Sequence, residues 1–198
     1  MEPTRRKLLQ IIAATVPSMT LVRQAGANVF TDLELDLTPT CGDHDSLTPE
    51  QTSGPFYSPN APERWDLSSD ASEGVPFVLA GLVLDQRCRP VRDVIVELWH
   101  ADQKGEYDNK GFRLRAYQRT DHLGRWAFLT VRTQHYSFRT AHYHFRVQRP
   151  DGSFLTTQLY FPDHPRNGSD HLFDPRLVMQ VEVDNGENLP VGRFEFVV

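Results

Sequence analysis

The chain has 198 residues, 39% hydrophobic and 24% charged, with 21 Lys and Arg against 26 Asp and Glu for a net charge of −5. That balance describes one folded domain, two at most, able to bury a core without disulfide or metal staples, and it excludes a disordered chain. The acidic excess argues against general nucleic-acid binding, which needs a basic field, and no stretch of about 18 uninterrupted apolar residues reads as a membrane span.

Charge is unevenly spread. Residues 1–27 carry a net +3, leaving −8 on the other 171. Thr4-Arg5-Arg6-Lys7 leads into an apolar stretch over 8–16, and Ala25-Gly26-Ala27 offers small residues beyond it. A basic start, an apolar middle and a small-residue site read as a signal peptide. The paired arginines resemble the twin-arginine export signal, which is read by a receptor. Export makes the protein periplasmic or secreted; the other reading is a basic amphipathic helix on a cytoplasmic protein. The two cysteines, Cys41 and Cys88, are too few for a disulfide scaffold or a thiolate zinc site. After export they would meet an oxidising compartment, where they either pair once or remain two unrelated thiols.

Residues 28–76 lack sustained periodicity and read as an irregular N-terminal arm. Period-two or short apolar runs then predict strands over 77–84, 94–100, 125–131, 142–148, 155–161, 177–183 and 193–198. Turn signals separate them: Asp85-Gln86-Arg87-Cys88-Arg89-Pro90, Asp121-His122-Leu123-Gly124, Pro150-Asp151-Gly152 and Asp184-Asn185-Gly186. No strong helical period follows residue 27. The fold class is all-β, an antiparallel β-sandwich over 77–198.

The densest polar cluster is the run from Tyr136 to Phe145. In a strand, residues i and i+2 share a face, so His142 and His144 point one way and Tyr143 and Phe145 the other. Two imidazoles so placed are able to share a metal ion; the plainer reading is two surface histidines. Tyr136 stands six residues before His142, and Tyr107 follows the strand ending in Trp99-His100. A phenolate is a hard oxygen ligand that forms at neutral pH only beside a strong Lewis acid such as Fe(III). Two phenolates and a hydroxide neutralise a trivalent ion, and two neutral imidazoles complete five ligands. The plainer reading is core or interface tyrosines.

Together with further motifs, these residues resemble the intradiol ring-cleavage dioxygenases, from about Thr48 to Phe161. The resemblance runs through Thr48-Pro49-Glu50-Gln51-Thr52-Ser53-Gly54-Pro55-Phe56-Tyr57, Leu79-Ala80-Gly81-Leu82-Val83 and Val96-Glu97-Leu98-Trp99-His100-Ala101-Asp102. It continues in Gly105-Glu106-Tyr107, Arg119-Thr120-Asp121, Arg139-Thr140-Ala141-His142-Tyr143-His144 and Thr157-Gln158-Leu159-Tyr160-Phe161. The export signal and the cysteine placement look most like the secreted, single-chain branch.

The resemblance implies a non-haem Fe(III) centre held by Tyr107, Tyr136, His142 and His144, with Tyr107 and His142 equatorial and Tyr136 and His144 axial. It implies a catecholic substrate and O2, with both oxygen atoms inserted and the ring opened between its hydroxyl-bearing carbons to a cis,cis-muconate. Tyr136 then serves as a base for a substrate proton. Arg139 falls on the arginine that stabilises charge on the ring, and Gln158 on a glutamine beside the ligands. Gly54, Pro55 and Tyr57 fall on the substrate-pocket segment. The family also tends to assemble into oligomers. The departure is Thr133-Gln134-His135 ahead of Tyr136, where the family usually has Pro-Gly, and it leaves that loop's path open.

Two other classes remain: a non-catalytic β-sandwich binding module, and a zinc hydrolase taking a third ligand from His135, Asp163 or His164. Catechol, protocatechuate and hydroxyquinol all stay open as substrates. Arg113, Arg115 and Arg119 lie downstream of Tyr107 and are candidate partners for a substrate carboxylate; the plainer reading is solvated surface charge.

Overall fold

A computed structural model describes Phe30, residues 46–183 and residues 189–198. The export segment, Cys41 with its pairing to Cys88, most of the arm ahead of residue 46 and the Asp184-Asn185-Gly186 turn lie outside the described residues. No helix among the described residues is long and apolar enough to cross a membrane.

Eight strands follow in chain order: β1 Pro76–Leu84, β2 Ile95–Trp99, β3 Arg115–Arg119, β4 Arg125–Val131, β5 His142–Gln148, β6 Phe154–Tyr160, β7 Gln180–Glu182 and β8 Val191–Val197. They form two four-stranded sheets, ordered β4-β1-β8-β7 and β3-β2-β5-β6. Among described residues 46–183 and 189–198, helix is confined to short 3-10 turns at Ser68–Ala71, Asn167–Ser169 and Pro175–Leu177. The expected all-β sandwich is therefore present.

The core lies between the sheets, where an apolar face of each strand turns away from water. Phe77, Leu79 and Val83 of β1, with Trp126 and Phe128 of β4, meet Val96 and Leu98 of β2 and Tyr143 and Phe145 of β5. Phe145 is fully buried, with ring centroids 5.2 Å from both Trp126 and Phe196. Alternation along β5 thus sends Tyr143, Phe145 and Val147 inward and leaves His142, His144 and Arg146 on the other face.

The other face of β1 is also covered. Val78 and Ala80 pack with Phe30, Trp65 and Leu129, which explains why β1 reads as a continuous apolar run rather than an alternating one. The described part of the arm is irregular, as expected, yet firmly tied. Gln51 N donates to Thr156 O (2.7 Å), Arg64 N to Tyr117 O (3.1 Å) and Leu67 N to Leu129 O (2.7 Å).

Three features differ from the sequence expectation. β3 was not expected, because Arg115, Tyr117, Gln118 and Arg119 offer little apolar alternation; Ala116 is the small residue that reaches the core. The last strand pairs parallel with β1, Val78 opposite Val191, a non-local partner that period-two patterning cannot reveal. The start of the expected 177–183 strand is taken by the Pro175–Leu177 turn, where the Asp174 side chain accepts from Arg176 N.

Phe145→Ala removes a ring from the centre of this core. The expected loss is about 3–5 kcal/mol of unfolding free energy, read as a lowered urea midpoint with an unchanged slope.

Candidate metal centre

The outer face of the β3-β2-β5-β6 sheet is organised in cross-strand rows. Register places Arg115 opposite Trp99, Trp99 opposite His144, and His144 opposite Gln158. One step along, His142 stands opposite Tyr160. Strand pairing therefore gathers these side chains without help from the loops.

His142 Nδ1 lies 2.6 Å from the Thr140 carbonyl. A carbonyl only accepts, so Nδ1 carries the proton and Nε2 presents a bare lone pair. That Nε2 faces His144 Nε2 at 3.1 Å. The Trp99 ring stacks on His144 at 5.0 Å and 7°. Burial, then the Arg139 charge, pushes the His142 pKa down to about 3; burial, then His142, holds His144 well below its ordinary value. Both imidazoles are neutral at pH 7.

The two tyrosines arrive on loops. Tyr107 sits in the loop 100–114, which Asp102 organises by accepting from Lys104 N (2.8 Å), Glu106 N (3.0 Å) and the Arg113 guanidinium (2.9 Å). Tyr136 sits in the loop 132–141. Thr133 fixes that loop without Pro-Gly: its hydroxyl donates to Ala101 O (2.8 Å), and its amide donates to the Tyr143 hydroxyl (3.2 Å). The two loops meet at Gly105, whose φ is +79°; a Cβ there would stand 2.6 Å from His135 O. The ring centroids of Tyr107 and Tyr136 lie 5.4 Å apart, those of Tyr136 and His142 5.6 Å, and those of Tyr107 and His144 6.2 Å.

These four side chains fit a hard metal ion. Two metal–imidazole bonds of about 2.0–2.1 Å meeting near a right angle end roughly 3 Å apart, as the two Nε2 atoms do. The Tyr107 hydroxyl and His144 Nδ1 are buried without a hydrogen-bond partner. Burial, then Tyr136, pushes the Tyr107 pKa well above that of a free phenol. Ionising it requires a strong Lewis acid, and phenolate oxygens favour a hard, highly charged one. Among the described residues no cluster of three or more His, Cys, Asp and Glu forms a metal site, so the third ligand of a zinc hydrolase is not brought to His142 and His144. His135 and His164 instead face each other, with ring centroids at 5.8 Å.

Arg139 adjoins the centre. A turn, with Arg139 N donating to Tyr136 O (2.9 Å), links the two residues. Its Nε donates to both Asp170 oxygens (3.1 and 2.9 Å), and one terminal nitrogen donates to Gln158 Oε1 and, at 3.4 Å, to the Tyr160 hydroxyl. Gln158 also donates to Thr52 O (2.9 Å), joining Arg139 to the arm.

The arm roofs the site. A Cβ on Gly54 would lie 3.4 Å from the His144 ring. Pro55 is exposed. The Tyr57 ring meets Trp99 at 4.8 Å, and its hydroxyl donates to Glu97 (3.1 Å) and accepts from Arg146 (3.1 Å). Tyr57 is thus engaged in supporting Trp99. Phe56, not singled out from sequence, stacks on Tyr107 at 4.6 Å and meets Tyr136 edge-on at 5.9 Å. Asp170 was also missed, since one aspartate in a polar loop carries no periodic signal. Of the three arginines, Arg113 is tied to Asp102, Arg115 is buried and donates twice to Asp108 O, and Arg119 is exposed.

Comparison with known proteins adds an independent finding. A family model described as Dioxygenase (Dioxygenase_C) matches residues 52–197. The chain is 31% identical over 148 residues to the protocatechuate 3,4-dioxygenase beta chain of Burkholderia cepacia, covering 62% of this chain and 63% of that one. It is 31% identical over 122 residues to catechol 1,2-dioxygenase 2 of Acinetobacter lwoffii, covering 57% and 44%. It thus spans less than two thirds of either relative's length. Among solved structures, it is similar to the dioxygenase domain of a dioxygenase carbohydrate-binding protein fusion from the cellulolytic bacterium Streptomyces sp. SirexAA-E. That match has 39% identity and a TM-score of 0.74, covering 77% of this chain and 98% of that one. The 3-chlorocatechol 1,2-dioxygenase of Rhodococcus opacus 1CP matches at 26% identity and a TM-score of 0.68, covering 76% and 72%.

Two measurements check this geometry. Gly105→Ala combines a left-handed backbone with a clash against His135 O, whereas Gly152 has φ +87° and open space around it. Gly152→Ala is expected to cost about 1–2 kcal/mol, the backbone strain alone. Gly105→Ala is expected to cost more in the same urea titration. For pH, His100 is fully buried and its pKa is pushed down to about 4 by desolvation, alongside the lowered values of His142 and His144. Between pH 6.5 and 4 the unfolded chain binds protons at these histidines that the metal-free native state does not. Metal-free stability is therefore expected to fall on acidification across that window, by about 1.4 kcal/mol per pH unit for each such histidine. A flat denaturation midpoint from pH 6.5 to 4 would contradict their neutral burial.

Proposed function

The chain belongs to the intradiol ring-cleavage dioxygenase family, and on that premise we propose that it is a non-haem Fe(III) enzyme that inserts both atoms of O2 into a catecholic substrate. The ring opens between its two hydroxyl-bearing carbons, giving a cis,cis-muconate-type product. The observation that carries the reading is the pair of neutral imidazoles with Nε2 atoms 3.1 Å apart, flanked by the rings of Tyr107 and Tyr136.

Tyr107, Tyr136, His142 and His144 would hold the iron. When bound, ferric iron supplies the Lewis acidity that ionises the phenols and binds the two catechol oxygens, drawing electron density from the ring. The chain's own residues supply the rest. His142 enters with its Nε2 lone pair free at neutral pH, so no proton must be removed from that atom for it to bind metal. The Tyr136 oxygen, as phenolate, would accept one catechol proton and become a neutral phenol, and the second catechol proton would pass to solvent. Tyr107, its ring stacked on Phe56, would hold the metal throughout. Arg139 adjoins Tyr136 and would stabilise negative charge developing on the ring, an electrostatic contribution that is strong where water is excluded. Phe56 and Trp99 contribute apolar walls that keep water from the centre. Residues 1–27 support export ahead of this chemistry, by their basic, apolar and small-residue order.

The test is the visible absorption spectrum of the iron-loaded protein, before and after anaerobic addition of catechol. A red-brown tyrosinate-to-iron band that shifts on addition is expected, followed by oxygen uptake with catechol, protocatechuate or hydroxyquinol. A protein that stays colourless after loading with ferric iron would leave a non-catalytic β-sandwich binding module as the reading. Tyr107→Phe is expected to lose much of the band while keeping the fold.

A further inference from the structure

The site contains one fully buried carboxylate that takes no part in the ligand set. The Asp170 side chain is 0% exposed. Removing a charge from water costs several kcal/mol unless pairing and hydrogen bonds compensate. Asp170 is compensated on every side: both oxygens accept from Arg139 Nε, Oδ2 accepts from Thr140 N (2.9 Å), and Oδ1 accepts from Leu172 N (3.0 Å).

Those contacts reach both halves of the site. Arg139 Nε is held by Asp170 and one terminal nitrogen by Gln158 and Tyr160, so two edges of the planar guanidinium are fixed. The other terminal nitrogen makes none of these bonds and remains the donor available to a ligand. Thr140, whose amide Asp170 receives, offers its carbonyl to His142 Nδ1. One carboxylate therefore aims the guanidinium and anchors Thr140, the residue whose carbonyl sets the tautomer of a candidate ligand.

We propose that Asp170 is a positioning residue for ring cleavage, acting through Arg139. The inference rests on the dioxygenase reading above. A purely structural alternative exists, in which Asp170 only closes the loop 161–174 onto the sheet, and the two differ in coupling. A positioning residue has no effect once Arg139 is gone, whereas a structural one keeps its full effect.

The experiment compares wild type, Asp170→Asn, Arg139→Met and the double variant. Asparagine keeps an acceptor for Thr140 N and removes the charge facing Arg139. Asp170→Asn is expected to lower kcat on catechol about 10- to 100-fold, with KM within about 3-fold and iron content unchanged. The double variant is expected to be no slower than Arg139→Met. Unchanged kcat in Asp170→Asn, or effects that multiply in the double variant, would overturn the proposal. A second readout needs no turnover: the Arg139 Nε–H resonance of the full chain, with gallium(III) in place of iron, assigned by its loss in Arg139→Met. A slowly exchanging signal in wild type that broadens away in Asp170→Asn is expected. A rapidly exchanging signal in wild type overturns the proposal even if Asp170→Asn fails to fold. Wild-type protein that neither colours nor consumes oxygen sinks the dioxygenase reading instead, and the resonance then still decides whether Asp170 holds the guanidinium.

Discussion

Two neutral imidazoles held 3.1 Å apart on the buried outer face of β5 are the constraint around which the rest of the structure is arranged. Their spacing follows from the two-residue period of a strand, and their neutrality from burial. The spacing would survive on a solvent-washed sheet, but resistance to protonation would not, so the face must be covered. The arm, Trp99 and the loops 100–114 and 132–141 perform that covering. The same elements bring in the phenols, so shielding the histidines and assembling the remaining donors are one structural event.

The loops show how a precise arrangement is reached without regular structure. Asp102, Asp108 and Asp170 each gather several backbone amides. Each carboxylate replaces part of a ladder with a local network, and a fully satisfied network is stiff. Where family relatives usually place Pro-Gly, Thr133 reaches the same end through its hydroxyl and amide. Backbone stiffness there comes from hydrogen bonds rather than from a ring.

Legibility in the sequence tracks how local the determining interaction is. β4 and β5 are readable to the residue because alternation and flanking turns define them within a short window. His142, His144, Tyr107 and Tyr136 stand out because their chemistry is rare in combination, and the structure brings all four together. β3 is hidden because its pairing with β2 and the arm compensates for a polar sequence. Asp170 and Phe56 are hidden because their importance arises only from residues 31 and 51 positions away, on the far sides of intervening strands. The parallel alignment of β8 with β1 is a long-range closure that no window contains. Tyr57, which the resemblance puts at the substrate pocket, has its hydroxyl bound to Glu97 and Arg146, partners 40 and 89 positions away that no window contains.

The path of the arm has a consequence for solubility. In sheets ordered β3-β2-β5-β6 and β4-β1-β8-β7, the outermost strands are β3, β6, β4 and β7, and unpaired outer strands invite pairing with other chains. The arm places backbone hydrogen bonds on three of them: Gln51 on β6, Arg64 and Pro62 on β3, and Trp65 and Leu67 on β4. The fourth, β7, is three residues long and carries exposed Gln180 and Glu182, a short polar border unsuited to self-association. The segment that roofs the Tyr107, Tyr136, His142 and His144 cluster is therefore also the chain's guard against edge-to-edge aggregation. Selection on either property constrains the other, so an opening of the arm that widened access to the four side chains would expose sticky strand borders in the same motion.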